Sequence, residues 1–197
     1  MQPNKLNDLL QKIDIYLLDQ ILKGSISFGM KILDAGCGSG RNCNYLLEQG
    51  FDVIGIDIDS NNIKLLQEKY SKNRFFISKI ETVSFTKASF DYIICNAVLH
   101  FAKNEAHFLQ MFDSLFHLLQ PNGTLFIRMT SNIGIENRVV PIKDGVYKIP
   151  DGSIRFLLTR ELFQKLKNRY PFTMVTPLKT VNVADVRCMT TMIIKKN

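Results

Sequence analysis

The stretch Ile32-Leu33-Asp34-Ala35-Gly36-Cys37-Gly38-Ser39-Gly40-Arg41-Asn42 decides how this chain is read. It follows from Lys31-Ile32-Leu33-Asp34, a short apolar run of the kind that forms a buried strand. Glycines at alternate positions 36, 38 and 40 remove β-carbons where a backbone must approach a ligand closely. A helix follows, through about Glu48, and stops near Gly50. Its first N–H groups have no partner within the helix and face the same region.

Two ligand classes use a strand, a glycine turn and a helix in this order. A dinucleotide site favours G-x-G-x-x-G, with the pyrophosphate at the helix N-terminus. Here the third glycine of that pattern falls on Arg41. The chain has G-x-G-x-G instead, with Asp34 two residues ahead. That form suits a ligand without phosphate and with a cationic amino-acid tail, since Asp34 can compensate an ammonium or a sulfonium. A second anchor is Asp57, which ends the run Phe51-Asp52-Val53-Ile54-Gly55-Ile56-Asp57. It stands about 20 residues beyond Gly36, the spacing at which a carboxylate reaches a ribose. It can accept hydrogen bonds from the 2′- and 3′-hydroxyls, and it would repel a 2′-phosphate. Ile58 is placed to pack on adenine.

Outward from the turn, strands and helices alternate. Residues 51–57 predict a second strand, 61–70 a helix, 74–78 a third strand and 90–95 a fourth. Phe108, Met111, Phe112, Leu115 and Leu119 recur at helical spacing over 105–119. Pro121-Asn122-Gly123 reads as a turn, and 124–128 as the fifth strand. Strands separated by helices imply a parallel sheet with right-handed crossovers. Ahead of this core, Leu6, Leu9, Leu10, Ile13, Leu17 and Ile21 predict an N-terminal helix over 4–23. Behind it, Asp144-Gly145 between two apolar runs signals a hairpin within a loop over 131–154. Thr159 can cap a helix to about Arg169. Two β segments close the chain over 155–197, at 174–183 and 188–195, with Pro177 marking an edge or an irregularity in the first. The 197 residues are read as one domain, 30–130 being the cofactor-binding core.

Hydrophobic residues make up 46% of the chain, enough for a core, and no apolar run approaches the roughly 18 needed to cross a bilayer. The start, Met1-Gln2-Pro3-Asn4-Lys5, leads into an amphipathic segment, so a cytoplasmic location is expected. Cys37, Cys43, Cys95 and Cys188 form no C-x-x-C pair, so no metal site is expected. The net charge of +7 tolerates an anionic partner, but the basic residues are scattered, where nucleic-acid binding calls for a patch.

Four ordered motifs resemble the class I S-adenosylmethionine-dependent methyltransferases. They are Asp34-Ala35-Gly36-Cys37-Gly38-Ser39-Gly40, Val53-Ile54-Gly55-Ile56-Asp57, the stretch from Ser89 to His100, and Leu118-Leu119-Gln120-Pro121-Asn122-Gly123-Thr124-Leu125. Gly40-Arg41-Asn42, Gly50-Phe51-Asp52-Val53 and Met189-Thr190-Thr191-Met192 are similar, more loosely, to the tellurite-resistance (TehB-type) members. The resemblance implies an α/β fold: a Rossmann-like seven-stranded sheet, mostly parallel with the last strand antiparallel, and helices on both faces. It implies S-adenosyl-L-methionine as cofactor. Asp34, Gly36, Cys37, Gly38, Gly40 and Asn42 would surround its methionine part together with Asn96, and Asp57 would hold the ribose. Members often carry an acid after strand three that meets the adenine amine. Here Ser78-Lys79-Ile80-Glu81 puts lysine there, leaving the backbone of Ile80 and the side chain of Glu81 for that contact.

Methyl transfer from a sulfonium is an in-line displacement, and alignment alone can lower the barrier by roughly 7–11 kcal/mol. A general base is needed only for a protonated, weakly acidic acceptor. A soft nucleophile needs none. Candidates on the active face are His100, as base or pocket wall, and Arg128, a charge within the apolar strand Leu125-Phe126-Ile127-Arg128-Met129 that needs a carboxylate or an anionic ligand. Arg187 carries the same two readings, and His107 and His117 read as surface or packing residues. The loop over 131–153, with Arg138, Lys143 and Lys148, is a candidate cover for an anionic small-molecule acceptor. An RNA or protein methyltransferase and a non-catalytic cofactor-binding protein stay open as alternatives. A nicotinamide dehydrogenase is opposed by Arg41.

Overall fold

The computed structural model describes residue 10 and residues 12–197. Its central sheet has the order β3-β2-β1-β4-β5-β11-β10. The parallel part is β1 (Lys31–Ala35), β2 (Asp52–Asp57), β3 (Phe75–Ile77), β4 (Phe90–Asn96) and β5 (Leu119–Ser131). β11 (Arg187–Lys196) runs antiparallel to β5. β9 (Phe172–Met174) and β10 (Lys179–Val183) both pair with β11, one after the other along its outer edge. They are one edge position interrupted around Pro177, which has no N–H for the ladder. The sheet is therefore seven positions wide and built from eight strands.

Successive strand residues point to opposite faces, and each face has its own core. Leu33, Ile93, Leu125, Ile127 and Met192 pack with α4 (Glu105–Leu118) and α5 (Arg160–Arg169). Ile32, Val53, Ile94, Phe126 and Ile193 pack with α1 (Ile15–Leu22), α2 (Cys43–Glu48) and α3 (Ser60–Lys69). Burial on both sides explains why β1 and β4 read as continuous apolar runs. The single helix expected over 4–23 is interrupted at residues 12–14, where Asp14 is extended and α1 starts afresh at Ile15, and Leu6 and Leu9 lie outside the described residues. Asp14 caps α1 by accepting the Tyr16 N–H at 3.0 Å. Thr159 caps α5 as expected, accepting the Leu162 N–H at 3.1 Å.

Two expectations are corrected. The turn at Pro121-Asn122-Gly123 does not precede β5 but lies within it. The register jumps from Phe90↔Leu119 to Tyr92↔Thr124, with Asn122 at φ +65° absorbing the bend. The hairpin over 139–149 gains a third strand. β6 (Val140–Lys143) pairs with β7 (Val146–Lys148), and β7 pairs with β8 (Ile154–Phe156) in a small separate sheet. The Phe156 ring stacks on Phe108 at 4.9 Å, which fixes this sheet to α4.

Candidate functional site

The chain leaves β1 for α2 on one face and leaves β4 for α4 on the other. Between such neighbours the loops part and open a crevice at the carboxyl ends of the strands. Here the crevice is a cleft of about 460 Å³. Gly36, Asp57 and Ile58 form one wall, with the segment from Ser78 to Glu81. Asn96, Ala97 and Val98 at the end of β4 form the other, with Phe101, His107 and Met111 beyond.

The glycines have different tasks. Gly36, at φ +81°, lines the cleft, and a β-carbon there would overlap the Val98 side chain. Gly38, at φ +52°, has open space where its β-carbon would be, and its N–H donates to Asp57 Oδ2 at 2.7 Å. Asp57 Oδ1 accepts the Asp59 N–H at 2.9 Å. The Asp57 carboxylate thus faces the glycine turn and the cleft together. Gly40 serves packing: a β-carbon there would sit 2.8 Å from Leu66 Cδ2 of α3.

Several expected cofactor contacts sit behind the cleft. The Cys37 side chain is buried against Gly55. Asn42 neither lines the cleft nor caps α2; its Oδ1 accepts the Asp14 N–H at 3.2 Å. The helix begins only at Cys43, because Arg41 and Asn42 are spent in the turn. Asp34 lies beneath the turn, 1% exposed, with neither carboxylate oxygen hydrogen-bonded. Burial pushes its carboxyl up to about 7; the neighbouring Cys43 thiol, whose Sγ is directed to the Gly40 carbonyl at 3.7 Å, opposes this, as does Arg41, and the Asp57 charge adds to it. Burial also pushes the thiols of Cys37, Cys43 and Cys95 well above their ordinary range, so none is a ready thiolate.

Asn96 is 5% exposed, lines the cleft, and has no partner for either Nδ2 or Oδ1. An orphaned buried amide at a cleft wall is a group that a ligand satisfies. At the opposite end, Ile58 stands exposed on the rim, and Ile80 is buried in a short 3₁₀ turn with Lys79 beside it. Glu81 is not free. His107 accepts the Lys103 N–H on Nδ1 at 3.1 Å, which leaves Nε2 to donate to Glu81 Oε1 at 3.2 Å. His107, read from the sequence as a surface or packing residue, is therefore part of the cleft wall. Its one sequence signal is its position four residues before Met111, on the face of α4 that meets the sheet.

The catalytic candidates face a second cavity. It measures about 470 Å³, opens beside the first, and shares Ala97 with it. His100 lines it, 7% exposed, with Nδ1 accepting the Thr130 N–H at 3.4 Å. Burial pushes the His100 imidazole down to about 4, and Arg155 and Arg187 push the same way. A neutral imidazole this weakly basic is a poor general base at neutral pH. Arg128 also lines this cavity, but its Nη1 donates to Asp14 Oδ2 at 2.8 Å, so the carboxylate partner anticipated for it comes from the cap of α1. Arg138 and Lys143 line neither cavity; Arg138 pairs with Asp185 at 3.2 Å and Lys143 with Asp144 at 3.9 Å, and Lys148 is exposed on β7. The residues that the 131–153 loop gives to the cavity are Asp151 and Ser153, followed by Arg155 on β8.

Comparison with known proteins agrees with this geometry. Residues 33–127, from β1 into β5, match the family model described as a methyltransferase domain. Over 127 residues the chain is 32% identical to the mitochondrial ubiquinone biosynthesis O-methyltransferase of Rattus norvegicus, covering 57% of this chain and 36% of that one. The chain spans about half the length of the curated relatives it matches, or less: 52% in another case. Among solved structures, the PH0226 protein of Pyrococcus horikoshii superposes with a TM-score of 0.72 at 21% identity, covering 93% of this chain and 89% of that one. The 1,6-didemethyltoxoflavin-N1-methyltransferase of Burkholderia thailandensis, solved with S-adenosylhomocysteine, gives 0.66 at 23% identity, covering 90% and 75%. At these identities the two structures bear on the fold. The sequence match over residues 33–127, the sheet order and the cleft at its switch point agree: this part of the chain is similar to a methyltransferase domain and has the Rossmann-like fold of the solved structures.

Proposed function

We propose that the protein transfers a methyl group from S-adenosylmethionine to a small-molecule acceptor. Asn96 carries the reading. Its amide is buried, unpartnered and set in a cleft whose other wall presents the Asp57 carboxylate. A nucleoside with an amino-acid tail satisfies both ends: ribose hydroxyls on Asp57, polar tail atoms on Asn96, adenine on the exposed Ile58. Bound there, the cofactor supplies a methyl group already activated on a sulfonium.

What remains for the chain is to hold the two partners in line and to exclude water. Ala97 lines both cavities, and its small side chain puts little bulk between them. Burial holds the His100 imidazole below its ordinary basicity, which disfavours it as the group that takes a proton. The acceptor therefore arrives ionised or is a soft nucleophile, and the finer likeness to the tellurite-resistance methyltransferases is part of this proposal. A cavity of about 470 Å³ favours a small molecule over an RNA or protein acceptor. Among the described residues no helix is long and apolar enough to cross a membrane. With four unpaired, buried cysteines, we place the protein in the cytosol.

A thermal-shift panel tests the cofactor. S-adenosylmethionine and S-adenosylhomocysteine should each raise Tm by several degrees at a hundredfold excess over Kd, whereas NAD and NADP should leave it unmoved. A shift with NAD alone would replace the methyltransferase reading by a dehydrogenase.

A further inference from the structure

Four arginines from distant parts of the chain converge on the second cavity. Arg41 comes from the glycine turn, Arg128 from β5, Arg155 from β8 and Arg187 from the start of β11. Arg128 is neutralised by Asp14. Arg187 and Asp151 approach only to 3.7 Å. Arg155 Nη1 donates to the carbonyl of Ile154 at 2.7 Å, and its guanidinium lies 5.1 Å over the Phe101 ring. Among the described residues neither Arg41 nor Arg155 has a carboxylate within ion-pair distance. The cavity therefore carries a clear excess of positive charge. Burial chiefly, and then Arg155 and Arg187, hold the His100 imidazole below its ordinary value.

A guanidinium presents a planar fork that matches an oxyanion, and two or three such forks around a half-open cavity make an anion site of small-molecule size. The neutral His100, with Nδ1 occupied by the Thr130 N–H, has Nε2–H left to donate. Ala97 adopts φ +61°, a conformation costly for an alanine, and lies on the border with the cofactor cleft. An acceptor anchored among the arginines would present its reacting atom across Ala97 toward the cleft.

We propose that this cavity is the acceptor site, and that Arg41, Arg155 and Arg187 hold an oxyanion of the acceptor, a carboxylate or a phosphate. The proposal rests on the methyltransferase reading above, and its test separates the two. The protein is first titrated with S-adenosylhomocysteine by calorimetry. The saturated complex is then titrated with inorganic phosphate and with acetate while amide shifts are followed by NMR. Shifts are expected at Ala97, His100 and Arg155 with millimolar affinity. The stronger of the two anions identifies the acceptor group. In the double variant Arg155→Gln/Arg187→Gln that affinity should fall at least tenfold, with S-adenosylhomocysteine affinity within twofold of the original. Failure of S-adenosylhomocysteine to bind the unaltered protein would remove the underlying reading and this proposal with it. Normal S-adenosylhomocysteine binding without anion shifts in the cavity, or with shifts that survive in the double variant, would overturn the acceptor site alone. The circular-dichroism melt of the variant shows that it is folded. If it is not, Arg155→Lys, which keeps the charge and loses the fork, should weaken phosphate severalfold.

Discussion

Asp34→Asn should stabilise the cofactor-free protein above pH 7 while leaving it little changed near pH 4. The side chain is 1% exposed and its oxygens have no hydrogen-bond partner, so ionisation inside the fold is opposed chiefly by burial. The carboxyl moves from the ordinary 3.8 up to about 7 in the fold. The folded state therefore holds a proton that the unfolded chain has released across that window. The advantage is fully present below about pH 3.8 and is lost as the pH rises through about 7. At 1.36 kcal/mol per pH unit the loss amounts to roughly 4 kcal/mol, and an unpartnered asparagine amide returns part of it, leaving a gain of about 1–3 kcal/mol at pH 8.5. His100 has the opposite slope: its folded value of about 4 lies below the usual 6.5, so it adds stability above pH 6.5 that is lost as the pH falls through 4. The decisive curve is thus variant minus parent, in which His100 cancels. Denaturant titrations from pH 4 to pH 8.5 should show that difference growing with pH. Parallel curves would mean that Asp34 is ionised in the fold throughout. Binding of a cationic cofactor above the turn would favour the ionised form, so calorimetry near pH 7 in buffers of different ionisation enthalpy should also detect proton release in the parent and none in the variant.

The parts of this molecule that were legible in its sequence are those written in local pattern. Strand and helix alternation follows from apolar periods of two and of three to four. The strand, glycine turn and Asp57 follow because both anchors sit within one βαβ unit, where spacing fixes geometry. The second cavity had no such pattern. Arg41, Arg155 and Arg187 meet only because β11 returns antiparallel beside β5 and β8 folds under Phe108. Arg128 showed from its apolar neighbours that it needed a partner, but Asp14 lies 114 residues away and nothing local names it. His107 read as a surface or packing residue because the helix period does not tell which turn of α4 overhangs the strand ends. The third strand of the small sheet, Ile154–Phe156, was too short to carry an alternation of its own. Glycines 36, 38 and 40 looked equivalent, and only packing separates them: Val98 presses on the first, nothing on the second, and α3 on the third.

Asp57→Ala should weaken S-adenosylhomocysteine binding by roughly 1–3 kcal/mol, or about 5- to 150-fold, through lost hydrogen bonds to the ribose. The carboxylate has a second task, because it accepts the Gly38 N–H at 2.7 Å and the Asp59 N–H at 2.9 Å. Removing it loosens the glycine turn as well as the sugar contact, and the two losses must be measured separately. The tether belongs to the free protein, so its loss appears in denaturant unfolding without ligand and should be about 1 kcal/mol, since both N–H groups can turn to water. The sugar contact belongs to the complex alone, so its loss appears in calorimetric affinity. Asp57→Asn keeps one acceptor oxygen for the turn and gives up the second acceptor for the hydroxyls. It should lie near the parent in stability and between parent and alanine variant in affinity. If the alanine variant is less stable yet binds S-adenosylhomocysteine as tightly as the parent, Asp57 is a brace for the turn and the ribose is held elsewhere. If affinity falls while stability holds, the carboxylate acts mainly on the ligand, and the turn keeps its shape through the glycine conformations and the packing of Gly36 on Val98 and Gly40 on Leu66.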